Sequence, residues 1–116
     1  MTHPALPFAG CEFATFRAAD GVKPEQLLAA SQRMRQQFLQ LQHGFIDNAL
    51  LQGDDGLWAD VVLADSRASA EAICQLFMQN EACLAYLALI APDSARLTFW
   101  TRYDATSTAP GGGPAR

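Results

Sequence analysis

The chain is poor in the residues that several protein classes cannot do without. It carries only 8 Lys and Arg against 12 Asp and Glu, a formal net charge of −4 over 116 residues. No basic stripe forms, and without clustered cations nothing can track a phosphate backbone, so no nucleic-acid partner is expected. Its two histidines, His3 and His43, and its scattered acids give no zinc-ligand spacing. Neither a metal nor a cofactor is expected. The cysteines, Cys11, Cys74 and Cys83, are odd in number and form no C-x-x-C pair. They read as free, mostly buried thiols of a reducing compartment. No histidine lies near any of them in sequence, which argues against a catalytic thiol. Every apolar run is broken by Asp, Arg or Gln before the roughly 20 residues needed to cross a bilayer. "MTHPALPFAG" lacks the charged n-region and apolar core of a signal peptide. The expectation is a cytoplasmic protein with no membrane partner.

What is present is apolar patterning: half the residues are hydrophobic, in a chain of one-domain length. "CEFATFRA" (11–18) alternates Phe13, Thr15 and Arg17 with Glu12, Ala14 and Phe16 and predicts a strand. Pro24 and Glu25 then open a helix, the proline tolerated at a first helical position and the acid favoured by the dipole. Leu27, Ser31, Met34, Phe38 and Leu41 follow as its inner stripe, widened by Leu28, and Gly44 closes it. "FIDNALLQ" (45–52) and "LWADVVLA" (57–64) predict two strands. The turn formers Gly53-Asp54-Asp55-Gly56 join them, so the pair should run antiparallel. Ser66 is placed to cap a second helix carrying Ala70, Ile73, Cys74 and Phe77. That helix falters near Asn80 and resumes with Cys83, Tyr86, Leu87 and Ile90 until Pro92 ends it. "SARLTFWTRY" (94–103) is a last strand. Residues 1–10 read as a flexible N-terminus, 11–103 as the domain and 104–116 as a disordered tail of small residues, Gly and Pro.

The order strand, helix, strand, strand, helix, strand predicts a ferredoxin-like α+β fold, with a four-stranded antiparallel sheet and helices on one face. The other face is left bare. In the third and fourth strands both side-chain sets hold large apolar groups, unlike a sheet wetted on one side. The simplest cover is a second copy of the chain in a two-fold dimer, with Trp58 as interface filler rather than catalyst.

"GFIDNALLQGDDGLWADVVLADSRASAEA" followed by "FMQNEACLAYLALI" resembles the dimeric α/β-barrel superfamily, in particular its antibiotic-biosynthesis-monooxygenase-like group. The resemblance covers residues 11–103. It rests on the order of elements, a Gly-Phe-Ile lead into the second strand, a Gly-containing hairpin, a Trp in the third strand and a helix starting at Ser66. It implies a homodimer with a cavity between each sheet and its helices, and in some members cofactor-free oxygenation of polyphenolic rings. The haem-degrading branch relies on an Asn in the first strand and a His on the second helix. Here Phe13 or Thr15 and Leu87 or Ala88 stand near those positions, so haem is not expected.

Cofactor-free oxygenation needs a substrate able to become an electron-rich anion, a group to take its proton and a dry pocket. Asp60 is the sharpest candidate, because a carboxylate desolvated among apolar strand residues has a raised pKa. The competing reading pairs it with an arginine, such as Arg17 or Arg102 across the sheet, or has it cap a backbone group. Asn48 and Arg102 could supply hydrogen bonds, and His43 invites a general-base role but reads more simply as a dipole-compatible surface residue at a helix end. Phe16, Trp58, Phe77, Tyr86 and Trp100 either line an aromatic ligand cavity or fill it. The acids Asp54 and Asp55 are solvated turn residues. Two functions follow: an oxygenase acting on an aromatic or quinol-like small molecule, or a non-catalytic binding or structural homodimer of the same fold.

Overall fold

The computed structural model describes residues 7–104. The elements are β1 (Gly10–Arg17), α1 (Pro24–Gln37), β2 (Phe45–Gln52), β3 (Leu57–Ala64), α2 (Arg67–Leu76), α3 (Glu81–Leu87) and β4 (Arg96–Thr101). The sheet order is β2-β3-β1-β4 with every neighbouring pair antiparallel, as the ferredoxin-like reading requires. No helix among the described residues is long and apolar enough to cross a membrane.

Local chemistry sets the boundaries. Pro24 opens α1, and the Gln26 side chain accepts the Lys23 backbone N–H at 2.8 Å. Leu27, Ser31, Met34 and Phe38 are buried along its inner stripe, but Leu41 is 76% exposed and Leu28 51%. Leu41 and Leu28 therefore leave the expected stripe. The cause at Leu41 is a tightening of the chain into a 3-10 turn at Leu39–Leu41, which advances each residue by about 120° rather than about 100°. Leu39, buried, takes the inward place. Asp55 and Gly56 both adopt positive φ in the expected hairpin. Ser66 caps α2 by accepting the Ser69 N–H at 3.0 Å, and Asn80 caps α3 by accepting from Ala82 and Cys83.

Helix α3 stops at Leu87 rather than running on to Pro92. Residues 89–91 return along the end of β1 instead: Ala19 N–H donates to Leu89 O and Ala91 N–H to Arg17 O, each at 2.8 Å. Ile90 consequently faces Ala18 in a bridge and leaves the helical stripe. The fourth strand spans 96–101, shorter than expected, because Ser94 is engaged in the turn with Arg17 and Ala91. At the other end Ala9 N–H donates to Ala64 O at 2.9 Å and β1 begins at Gly10, one residue ahead of the expected strand start. The expectations for residues 1–6 and 105–116 fall outside the described residues.

Register assigns the faces. Phe16 stands opposite Trp58, Ala14 opposite Asp60, and Glu12 opposite Val62, all on the side covered by the helices. The core there joins Phe16, Leu27, Met34, Phe38, Val62 and Tyr86, with Phe16 edge-on to Tyr86 at 6.1 Å. The bare face presents Cys11 and Phe13 of β1, Leu57, Val61 and Leu63 of β3, Leu51 of β2 and Trp100 of β4. Trp58 thus lies on the helix side, packed against the core and beside Leu50, and cannot fill a sheet-to-sheet interface. Trp100 is the tryptophan on the bare face, 55% exposed.

Candidate functional site

Two acids point the same way from the central strands. Because Ala14 pairs with Asp60 and Glu12 with Val62, Glu12 and Asp60 are diagonal neighbours on adjacent strands, about 7–8 Å apart at the backbone. Ala14 between them is small. Space remains above it, and a cavity of about 310 Å³ opens between the sheet and the helices. Met34 of α1, Ile73 and Cys74 of α2, and Tyr86 of α3 wall it on the helix side. Met78 and Leu97, which also line it, are 62% and 46% exposed and mark its mouth.

The cavity is apolar apart from Glu12, Asp60, the Cys74 thiol and the Tyr86 hydroxyl, and among the described residues no Lys, Arg or His lines it. Asp60 Oδ1 and the Tyr86 hydroxyl are both fully buried and face each other, with no hydrogen bond to any other described residue. Burial pushes the Asp60 carboxyl up to about 6, against the lowering effect of its hydrogen-bond interaction with the Tyr86 hydroxyl. Burial, and then the charge of Asp60, push Glu12 up to about 7. Burial and the same charge raise the Tyr86 phenol above its ordinary value, so it stays a neutral donor. Burial, with a contribution from Glu12, lifts Cys74 to about 11, which keeps it a thiol at neutral pH.

Of the residues singled out from the sequence, Asp60, Phe16, Phe77 and Tyr86 meet in this cavity. The others lie elsewhere. Asn48 accepts a hydrogen bond from Arg35, which also binds Asp47 at 2.7 Å on the outer strand β2. His43 is exposed in the loop before that strand. Trp58 lines a separate shallow hollow with Pro24, Leu28 and Leu50, and Trp100 is on the opposite face of the sheet, its indole N–H donating to Thr98 at 2.8 Å. Neither arginine proposed as a partner reaches Asp60. Arg17 projects from the bare face and donates to Asp55 O, and Arg102 pairs with Asp104 at 2.9 Å beyond the end of β4. Glu12 is a site residue that the sequence pattern alone does not single out. Its signal is present in the alternation of β1, where it shares a side with Ala14 and Phe16, but only the pairing of β1 with β3 aligns that side with Asp60.

No protein-family model and no curated protein matches the chain. Solved structures do. SnoaB, a cofactor-independent oxygenase from Streptomyces nogalater, superposes with a TM-score of 0.63 at 15% identity, over 84% of this chain and 96% of SnoaB. A structure from Caulobacter crescentus CB15 assigned to the antibiotic biosynthesis monooxygenases gives 0.63 at 11% identity, over 85% of this chain and 93% of its own. The chain has the antibiotic-biosynthesis-monooxygenase fold. A third example of that fold is the monooxygenase from the gene ActVA-Orf6 of Streptomyces coelicolor, solved with the ligand Nanaomycin D. It superposes with a TM-score of 0.56 at 15% identity, over 85% of this chain and 91% of its own. At such identities the antibiotic-biosynthesis-monooxygenase likeness is one of architecture, and the chemistry must be argued from this chain's own cavity.

Proposed function

We propose that the cavity binds an aromatic or quinol-like small molecule and oxygenates it without a cofactor. The observation that carries this reading is a buried carboxyl and a buried phenol, Asp60 and Tyr86, facing each other in an apolar cavity where Asp60 Oδ1 and the Tyr86 hydroxyl have no other polar partner among the described residues. Unpartnered polar atoms in such a place cost stability unless something else satisfies them. A hydroxylated aromatic does so, and SnoaB and the ActVA-Orf6 protein supply fold-level precedents for cofactor-independent oxygenation and for ligand binding.

The chemistry needs few parts. The Asp60 carboxylate takes a proton from the ligand, and the resulting anion, confined away from water, passes electrons to dioxygen and forms a C–O bond. For a ring methylene, loss of water from the hydroperoxide leaves the carbonyl, so that one dioxygen gives one inserted oxygen and one water. Tyr86 donates to the oxyanion. Since Asp60 must be ionised, kcat/KM should rise as pH passes about 6 and level off above it. An oxygen electrode with a panel of anthrones and hydroquinones tests this. Absence of uptake above buffer at every pH would end the oxygenase reading, and ligand-induced melting shifts without uptake would favour a non-catalytic binding protein.

The same proposal includes a homodimer in the cytoplasm, formed through the bare face. Trp100, Leu51 and Leu57 are exposed there as large apolar groups alongside Phe13 and Val61. A charge at the centre of that face should separate the copies: light scattering is expected to give twice the chain mass for the wild type and a single chain mass for Val61→Asp. A monomeric wild type overturns the dimer.

A further inference from the structure

Glu12 is the polar group of the cavity that the proposed chemistry leaves without a task. It makes no hydrogen bond or ion pair with any described residue, although it lines an apolar cavity. Asp60 Oδ1 and the hydroxyl of Tyr86, a residue only 1% exposed, are buried facing each other with no hydrogen bond to any other described residue. The titratable groups that face this point are Glu12 from β1, Asp60 from β3, Cys74 from α2 and Tyr86 from α3. Helix α1 contributes Met34 and strand β4 contributes Leu97, so among the described residues no cation faces the acids from any element packed around them.

We propose that Glu12 is a second ligand contact in this cavity and that Glu12 and Asp60 together select an uncharged aromatic with two hydroxyl donors over its anionic analogues. The inference rests on the reading of the cavity as an aromatic-ligand site and names the ligand class. An ionised carboxylate only accepts hydrogen bonds, and apart from the Tyr86 hydroxyl beside Asp60 the cavity offers these two acids no strong donor among the described residues. Two acids on diagonal positions of neighbouring strands therefore ask for donors at two points of one ligand. Ionisation of one acid opposes ionisation of the other, and an anionic ligand would bring a further negative charge into a space of low polarity. The cavity volume of about 310 Å³ is at the small end of ligand sites, suited to fused rings rather than to a large polyketide.

The test is anaerobic calorimetry at pH 7.5 with four probes: 1,5-dihydroxynaphthalene, 1-naphthol, a hydroxynaphthoate and 1-aminomethylnaphthalene. Wild-type protein should bind the diol about tenfold more tightly than naphthol, the worth of one charge-assisted hydrogen bond. It should also bind the diol at least about tenfold more tightly than the carboxylate, as expected for a buried unpaired charge. Glu12→Gln should bring diol and naphthol within about twofold of each other and relax the discrimination against the carboxylate. The wild-type series stands even if that variant folds poorly. Equal binding of naphthol and diol, an amine probe tighter than the diol, unchanged selectivity in a folded Glu12→Gln, or no binding of any probe overturns the proposal. The expected selectivity without oxygen uptake removes the oxygenase reading alone. Uptake with monohydroxylated substrates that Glu12→Gln does not alter removes this inference alone.

Discussion

Asp60→Asn is expected to abolish turnover and at the same time to make the protein more stable at neutral pH. An acid whose pKa rises on folding binds its proton more tightly in the folded state. Its ionisation therefore opposes folding. For Asp60 the opposition is absent below about 3.8, grows as pH rises from there to about 6, and is complete above that. Glu12 extends the window from 4.5 to about 7. The wild-type protein should accordingly lose stability between pH 4 and pH 7, the reverse of a protein held by ion-paired carboxylates. For Asp60 alone the displacement corresponds to at most about 3 kcal/mol. The asparagine amide inherits a buried site without partners, so a gain of about 1–2 kcal/mol at pH 7.5 is the reasonable expectation, with melting raised by roughly 5–10 °C. Denaturation at pH 4.5 and pH 7.5 measures it, since the variant should narrow the gap between the two. An Asp60→Asn protein that is inactive and less stable would mean that the carboxylate serves packing, and an active one would exclude it as the base. Stability given up at a site that needs an ionised group is the trade expected of function.

The faces of the sheet explain which parts of this were legible in the sequence. Strand alternation, the Gly53–Gly56 turn and the Ser66 cap are local signals, and each stands where it was expected. The end of α1 and the end of α3 depart from expectation because tertiary contacts decide them: Leu39 turns inward in place of Leu41, and residues 89–91 bond to β1. The site hinged on a subtler inversion. In β3 the wholly apolar set, Leu57, Ala59, Val61 and Leu63, looks like a core face, yet it is the bare one. The mixed set with Trp58 and Asp60 is the one that the helices cover. Alternation separates the two sets but cannot say which is covered, because that depends on where α1, α2 and α3 dock. Once β1 and β3 are paired, Glu12 joins Asp60, Trp58 moves from the face expected to be bare to the side covered by the helices, and an acid pair emerges that neither strand reveals alone.

Gly10→Ala is expected to be severely destabilising, although nothing in the local sequence marks Gly10 as special. Gly10 begins β1 between Ala64 of β3 and Thr101 of β4, on the face crossed by the start of α2. A Cβ there would lie 2.1 Å from Arg67 N, 2.3 Å from Ser66 C and 2.5 Å from Arg67 Cα. All three are backbone atoms, so no rotamer change relieves the overlap. The first turn of α2 would have to lift, straining the Ser66 cap and the bond from Ala70 N–H to Ser66 O at 3.1 Å. Overpacking against movable side chains costs about 1–3 kcal/mol. Against backbone on both sides the cost should be about 3 kcal/mol or more, a large part of the roughly 5–15 kcal/mol that holds an ordinary domain. Helix α2 also carries Ile73 and Cys74 into the cavity wall, so any variant that folds by moving it should bind aromatic probes less tightly. Gly21 is the control: it has φ +83°, but a Cβ there would meet no atom within 4 Å. Gly21→Ala should therefore cost only about 1 kcal/mol, from backbone strain. Urea titrations of both variants distinguish the causes. If Gly10→Ala matched Gly21→Ala in stability, α2 would not sit directly on β1 and the cavity wall would have to be redrawn.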